Sequence, residues 1–417
     1  MCFFASILWV AVLCMLSTGC AGIDLLNEIP KDLALSQDVS EGASADTVPD
    51  SPSDDAPEEE EEPGENFLME EAFSFACDSL SEAEQIWYHD MEQILGSFGE
   101  QIELSDEGIA AGLDEINIDR IFQSVLCDHP ELFYVEGYAY TKYMWGERLS
   151  SIVFSGTYNV DLPTAIARRE EIQAAVGEIL DGVEKDASDY DKVKYVYDTL
   201  VCDTDYDMNA PDNQNIYSVF VHHLSVCQGY AKATQYLLNK LGIECTLVLG
   251  TVETGEGHAW NLVKVDGDYY YVDTTWGDVS YRVEDVEVEE EESQLIMPEI
   301  NYDYLNVTTE ELLRTHSIGG EVPMPLCVAT KANYYVREGA LFTSYDREQM
   351  SALFHRCIEN GQGDVTIKCA DAVCYDEVLN MLIGEQEIFD YLEDGGSTIA
   401  YAQNEKQLSL TFWVTNK

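Results

Sequence analysis

Residues 257–276 read GHAWNLVKVDGDYYYVDTTW. Asp266-Gly267 separates two apolar-rich runs, and an Asp-Gly pair in that setting is a strong short-range signal for a two-residue hairpin turn. The pattern predicts strands over His258 to Val265 and Tyr269 to Trp276. With a two-residue turn, Val265 opposes Asp268, His258 opposes Thr275 and Asp273 opposes Trp260. His258 and Asp273 then share a sheet face as diagonal neighbours, roughly 7 to 8 Å apart at the backbone and within reach of each other's side chains. A three-residue loop would put them on opposite faces.

Upstream, Tyr230, Thr234, Leu237, Leu238 and Leu241 recur at helical spacing and Gly242 stands where a C-cap belongs, so residues 227–241 are expected to form a helix. Cys227 falls in its first turn. There, unpaired backbone N–H groups and the positive end of the helix dipole favour thiolate over thiol. Gly229 is expected to leave the approach to the sulfur open, and the Cys227 N–H is placed to serve an oxyanion. Thr246 to Val252 supplies a third strand. A lone cysteine is more often core packing than a nucleophile. A cysteine at a helix start, followed by a same-face histidine and aspartate on a hairpin, is the nucleophile, base and orienter arrangement of thiol hydrolases.

Three stretches resemble the bacterial transglutaminase-like proteins of the papain-like superfamily: Ser225-Val226-Cys227-Gln228-Gly229-Tyr230-Ala231, Gly257-His258-Ala259-Trp260-Asn261-Leu262-Val263, and Tyr270-Tyr271-Val272-Asp273-Thr274-Thr275-Trp276. The resemblance covers about residues 185–320, including Tyr197-Asp198, Asp205-Tyr206-Asp207 and Tyr304-Leu305-Asn306-Val307-Thr308. It implies an α+β fold with a nucleophile-bearing helix packed on an antiparallel sheet. It further implies that Cys227 attacks an acyl carbon, His258 moves the proton and Asp273 orients the ring. The upstream oxyanion donor of papain-like enzymes is not readable, and Tyr217 is the candidate taken for it, against a packing role. Neither cofactor nor metal is expected. Asp203-x-Asp205-x-Asp207 opens like a calcium loop, but Met208 stands where the sharp-turn glycine belongs and Gln214 where the bidentate glutamate belongs. His222 and His223 adjoin one another and point different ways.

The remainder of the chain frames this centre. Its 417 residues exceed one typical domain. Eighty Asp and Glu against 21 Lys and Arg give a net charge of −59, which repels nucleic acid and excludes it as a partner. Ser79-Leu80-Ser81-Glu82 has the capping-box pattern ahead of a helix, and further helices are expected from Pro163 to Leu180 and Tyr190 to Val201. After Pro325, alternation and helical spacing suggest strand (Asn333 to Arg337), helix (Asp346 to Asn360), strand (Asp364 to Cys369), helix (Ala372 to Leu382) and strand (Leu408 to Val414). Residues 279–299 read as an acidic surface loop.

Phe3 to Leu16 is an apolar run of signal-peptide length, and Leu16-Ser17-Thr18-Gly19-Cys20 resembles a bacterial lipobox whose Cys20 is lipidated. No Lys or Arg precedes the run, and Ser17 stands where leucine is usual. The expected organisation is a lipoprotein-type signal peptide (1–20), a disordered acidic tether (21–66), an N-terminal α/β region (67–184), a transglutaminase-like domain (185–320) and a small C-terminal α+β module (326–417). The tether would reach roughly 35 to 40 Å. The expected protein is lipid-anchored on the outer face of a bacterial membrane and acts on a peptide, protein or cell-wall peptide. Hydrolysis is favoured over amine crosslinking, because water is the default acceptor unless an amine is specifically bound. The competing class is a non-catalytic surface scaffold.

Overall fold

A computed structural model describes residues 73–278, 300–392 and 399–414. The expected signal peptide, Cys20, the expected tether and the acidic segment 279–299 lie outside the described residues. The chain divides into two compact units that meet in sequence at Glu170 and Glu171.

The first unit holds α1 (Phe75–Asp78), α2 (Glu82–Gly96), β1 (Ile102–Glu103), α3 (Asp106–Ala110), α4 (Glu115–Asp128), β2 (Val135–Trp145) and β3 (Arg148–Tyr158). The strands form an antiparallel sheet in the order β1-β3-β2. The capping box of α2 uses Ser81 and Glu84 rather than Ser79 and Glu82. Ser79 instead caps α1, its hydroxyl donating to Ala76 O at 2.7 Å. Buried Asp128 ends α4 and accepts from Ala76 N, Cys77 N and Tyr88 Oη.

Helix α5 (Leu162–Asp181) carries the chain into the second unit, which continues with α6 (Asp189–Asp203), β4 (Asp205–Tyr206), β5 (Leu224–Ser225) and α7 (Cys227–Lys240). Then come β6 (Cys245–Val252), β7 (Gly257–Val265), β8 (Asp268–Val272), α8 (Thr309–Leu312) and β9 (His316–Ile318). The central sheet is antiparallel in the order β8-β7-β6-β9. Its hairpin has the expected register, from Val265 opposite Asp268 to Asn261 opposite Val272. Asp266 (φ 52°) and Gly267 (φ 90°) are both left-handed, the backbone of a type I′ turn.

Strand β8 stops four residues short of the expected Trp276, so the opposition of Asp273 to Trp260 and of His258 to Thr275 is not formed. The reason is local. Asp273 Oδ1 accepts from Trp276 N at 3.1 Å, folding 273–278 into a turn in which Gly277 N also bonds Thr274 O. Asp273 N bonds Tyr304 O instead of the neighbouring strand.

Helix α7 packs on this hairpin by most of its expected face, while Leu241, expected on that face, is the half-buried C-cap one residue beyond the helix. Tyr230, Thr234, Leu237 and Leu238 are buried, Asn261 Nδ2 donates to Ala231 O at 2.9 Å, and the Thr234 and Thr274 hydroxyls lie 2.8 Å apart. The role expected of Gly229 needs correction: a methyl there would meet Ser225 Oγ at 1.9 Å and Asn213 O at 3.0 Å. Its missing side chain admits the preceding loop rather than opening the sulfur.

The chain closes with α9 (Tyr334–Arg337), β10 (Leu341–Phe342), α10 (Arg347–Glu359), β11 (Asp364–Cys369), α11 (Ala372–Leu379), β12 (Tyr401–Asn404) and β13 (Ser409–Trp413). Residues 333–337, expected as a strand, are helical because the Asn333 side chain accepts from Tyr335 N and caps a turn. The strand on that edge is β10, parallel to β11, in a sheet ordered β10-β11-β13-β12. Residues 326–414 belong to the same compact unit as the central sheet. Buried Asp303 ties them to it, accepting from Lys368 Nζ (3.1 Å), Ser409 Oγ (2.8 Å) and Asn404 Nδ2 (3.0 Å). No described helix is long and apolar enough to cross a membrane.

Candidate active site

Three elements deliver the candidate side chains, all buried. Cys227 opens α7 behind an N-cap, Val226, whose side chain makes no capping hydrogen bond. His258 is the second residue of β7, and Asp273 follows directly on β8. His258 Nε2 lies 2.8 Å from Asp273 Oδ2.

A second histidine, absent from the sequence expectations, meets the same oxygen: His316 Nε2, at the start of β9, is 3.0 Å from Asp273 Oδ2. An ionised carboxylate only accepts, so both Nε2 atoms carry protons. Burial pushes the Asp273 carboxyl up, but the charge of His258 and the hydrogen bonds from both rings outweigh it and hold Asp273 well below the usual carboxylate range. Burial dominates at His316 and pushes its imidazole below the usual range, against the pull of Asp273.

Aromatic rings wall off this pair. Trp260 and Trp276 lie 5.9 and 5.8 Å from the His258 ring, while Trp276, Trp260 and Tyr304 lie 4.6, 5.0 and 5.5 Å from His316. Such walls lower the local dielectric and strengthen the interactions inside them. Gly250 on β6 makes the approach of β9 possible. A methyl there would meet Ser317 O at 2.1 Å and Trp260 Cη2 at 2.5 Å.

His258, Asp273 and His316 also have metal-like spacing, with ligand atoms within 4.8 Å of one another. Their 2.8 and 3.0 Å separations are those of N–H···O hydrogen bonds between the two Nε2 atoms and the carboxylate.

Tyr217, taken as an oxyanion donor, has both its protons engaged. Its hydroxyl donates to Glu171 Oε2 at 2.6 Å and its N–H to Asn215 Oδ1 at 2.9 Å. It therefore braces α5 rather than presenting a donor.

Residues 177–274 match the model of the transglutaminase-like superfamily, a span that contains Cys227, His258 and Asp273. The mouse kyphoscoliosis peptidase is 24% identical over 130 residues, covering 27% of this chain and 20% of the mouse protein. The chain thus spans about a fifth of that relative's length. Among solved structures, a TGase aligns over 33% of this chain and 50% of its own, at 17% identity and a TM-score of 0.24. A candidate cysteine protease of Cytophaga hutchinsonii aligns over 34% and 62%, at 13% identity and a TM-score of 0.22.

Proposed function

We propose that the transglutaminase-like domain of this chain is a cysteine hydrolase in which Cys227 is the nucleophile, His258 its base and Asp273 the orienting carboxylate. The observation that carries this reading is the buried 2.8 Å contact from His258 Nε2 to Asp273 Oδ2. It supports the Nε2–H tautomer, in which Nδ1 is the atom left to exchange a proton with the thiol. Cys227 Sγ passes its proton to Nδ1 and attacks the acyl carbon. The oxyanion is met by the Cys227 N–H at the helix start, and the Nδ1 proton goes to the departing amine. Water, deprotonated by Nδ1, then attacks the thioester and releases the acid and the thiol.

A peptide or protein amide is the proposed substrate, in keeping with the peptidase name of the mouse relative. Water is the proposed acceptor, because an amine competes only where a site binds it. Lipidation at Cys20 would set this chemistry on the outer face of a bacterial membrane. Labelling with a fatty-acid analogue, lost in Cys20→Ala, is the check on that anchor.

The test of function incubates the full chain with a glutamine-containing peptide, with and without a primary amine. Hydrolysis that disappears in Cys227→Ala and is not diverted by the amine is expected. Amine incorporation would make the protein a crosslinking enzyme. A Cys227 thiol that alkylates like an ordinary one, with a pKa of about 8.5, would leave only a scaffold.

A further inference from the structure

Asp273 accepts three hydrogen bonds: from His258 Nε2 and His316 Nε2 at Oδ2, and from Trp276 N at Oδ1. The His316 bond has its own support. Burial disfavours the charged ring, against the pull of Asp273 and the Leu312 carbonyl; a neutral ring that donates through Nε2 leaves Nδ1 to accept, and the Thr315 hydroxyl lies 2.8 Å from it. The Thr315 proton has two acceptors in reach, His316 Nδ1 at 2.8 Å and the Leu312 carbonyl at 3.5 Å; placed on the nearer one, it leaves Thr315 Oγ1 to accept from the Tyr304 hydroxyl at 3.2 Å and Gln407 Nε2 at 3.5 Å. The Tyr304 hydroxyl in turn accepts from Gln407 Nε2 at 3.2 Å. Gln407, on the β12–β13 turn, is oriented by buried Lys368, whose Nζ reaches Gln407 Oε1 at 3.3 Å and Asp303 Oδ1 at 3.1 Å.

These donors all point toward Asp273. The other His316 tautomer would turn a lone pair onto the carboxylate. Resting on the hydrolase reading above, we propose that His316 is a positioning residue that holds Asp273 ionised and in place for His258, and that the relay Gln407–Tyr304–Thr315 locks it in its donating tautomer. Residues near the C-terminus thereby become part of the apparatus around Cys227. The titratable groups against the His316 ring are Asp273, His258 (rings 5.3 Å apart) and Tyr304.

Without the second donor, Asp273 is less compensated for its burial and takes up a proton at higher pH. His258 then loses the anion that stabilises its imidazolium, and the Cys227 thiolate forms only at higher pH. The readout is the rate of Cys227 alkylation by iodoacetamide against pH, on the full chain. His316→Gln keeps an N–H donor where Nε2 stands, whereas His316→Asn moves it to the Nδ1 position. The acidic limb of the profile is expected to rise by about one pH unit in His316→Asn and to superimpose on wild type in His316→Gln. Thr315→Val, which removes the relay's last donor at constant shape, should move the limb the same way by less.

Equal profiles for wild type and His316→Asn, or equal shifts in Asn and Gln, overturn the proposal, since a packing role treats both amides alike. If the His316 variants do not fold, an unshifted Thr315→Val profile overturns it. A wild-type thiol that titrates ordinarily and ignores His258→Ala overturns the hydrolase reading and this proposal with it. A low wild-type limb that depends on His258 but not on His316 overturns this proposal alone.

Discussion

Two buried histidine–carboxylate clusters, one in each unit, hold opposite proton inventories. In the first unit, the His129 ring lies between Glu131 Oε1, 2.9 Å from Nδ1, and Glu92 Oε1, 3.3 Å from Nε2. Both nitrogens face acceptors, so both carry protons and the ring is a cation. Burial opposes that charge, but the hydrogen bonds to Glu131 and Glu92 overcome it and push His129 up to about 9. In the second unit, one carboxylate serves two rings through one nitrogen each. A histidine held by two carboxylates is a locked ion with no proton to exchange near neutral pH. A carboxylate shared by two histidines leaves each ring a second nitrogen for a different partner, the relay at His316 and, in the proposed mechanism, the thiol at His258.

The largest expected effect breaks the second cluster at its centre. Asp273→Asn keeps the shape but replaces an acceptor of three bonds by an amide that also donates, so His258 loses its imposed tautomer. Peptide hydrolysis should fall about 10³- to 10⁴-fold in kcat, with KM little changed. Activity within tenfold of wild type would show that Asp273 does not orient the base.

Next comes Gly250→Ala. The added methyl has backbone on one side and a Trp260 ring carbon on the other, so β9 must move and His316 with it. A tenfold or greater loss of kcat, with about 1 to 3 kcal/mol of destabilisation, is expected in paired kinetics and thermal unfolding. Destabilisation with unchanged kcat would mean that β9 can shift without disturbing Asp273.

His129→Leu tests the first cluster and should leave kcat within twofold of wild type. Its cost, about 1 to 3 kcal/mol, appears as faster hydrogen exchange in α2 and α4. The sign of its pH dependence follows from a raised folded pKa. The stabilisation is full below the ordinary histidine value of about 6.5 and is lost as pH rises through about 9. Between pH 7 and 10 the wild type should therefore lose protection in these helices and converge on the variant. A gap that persists at pH 10 would mean that packing, not charge, holds His129.

What the sequence discloses follows from how far apart the interacting residues lie. The hairpin is legible because its turn is encoded by adjacent Asp266 and Gly267, and its register carries His258 and Asp273 to the same end. The body of α7 is legible because Tyr230, Thr234, Leu237 and Leu238 recur at helical spacing. His316 is not. It meets Asp273 from 43 residues downstream, across the acidic segment 279–299, by a β6–β9 pairing that nothing in Thr315-His316-Ser317 announces. The end of β8 escapes a reading by strand propensity because the Asp273 carboxylate turns the backbone, a competition that propensity ignores. Gly229 suggests an opening beside the sulfur, whereas its value lies in the Ser225 and Asn213 atoms that approach it.

The smallest effect concerns the turn on which both strand partners depend. Gly267 has φ 90° and open space where a methyl would go, so Gly267→Ala meets no clash and costs only the strain of a left-handed L-residue, about 1 kcal/mol. The register is held independently by five opposed pairs from Val265–Asp268 to Asn261–Val272 and by the bond from Asn261 to Ala231. Thermal stability should therefore drop slightly while kcat and the Cys227 alkylation profile stay as in wild type. A shifted alkylation profile in Gly267→Ala would show that the ladder does not hold its register without the type I′ turn. The turn would then act on Asp273 directly, and the second cluster would depend on a surface loop as well as on its buried relay.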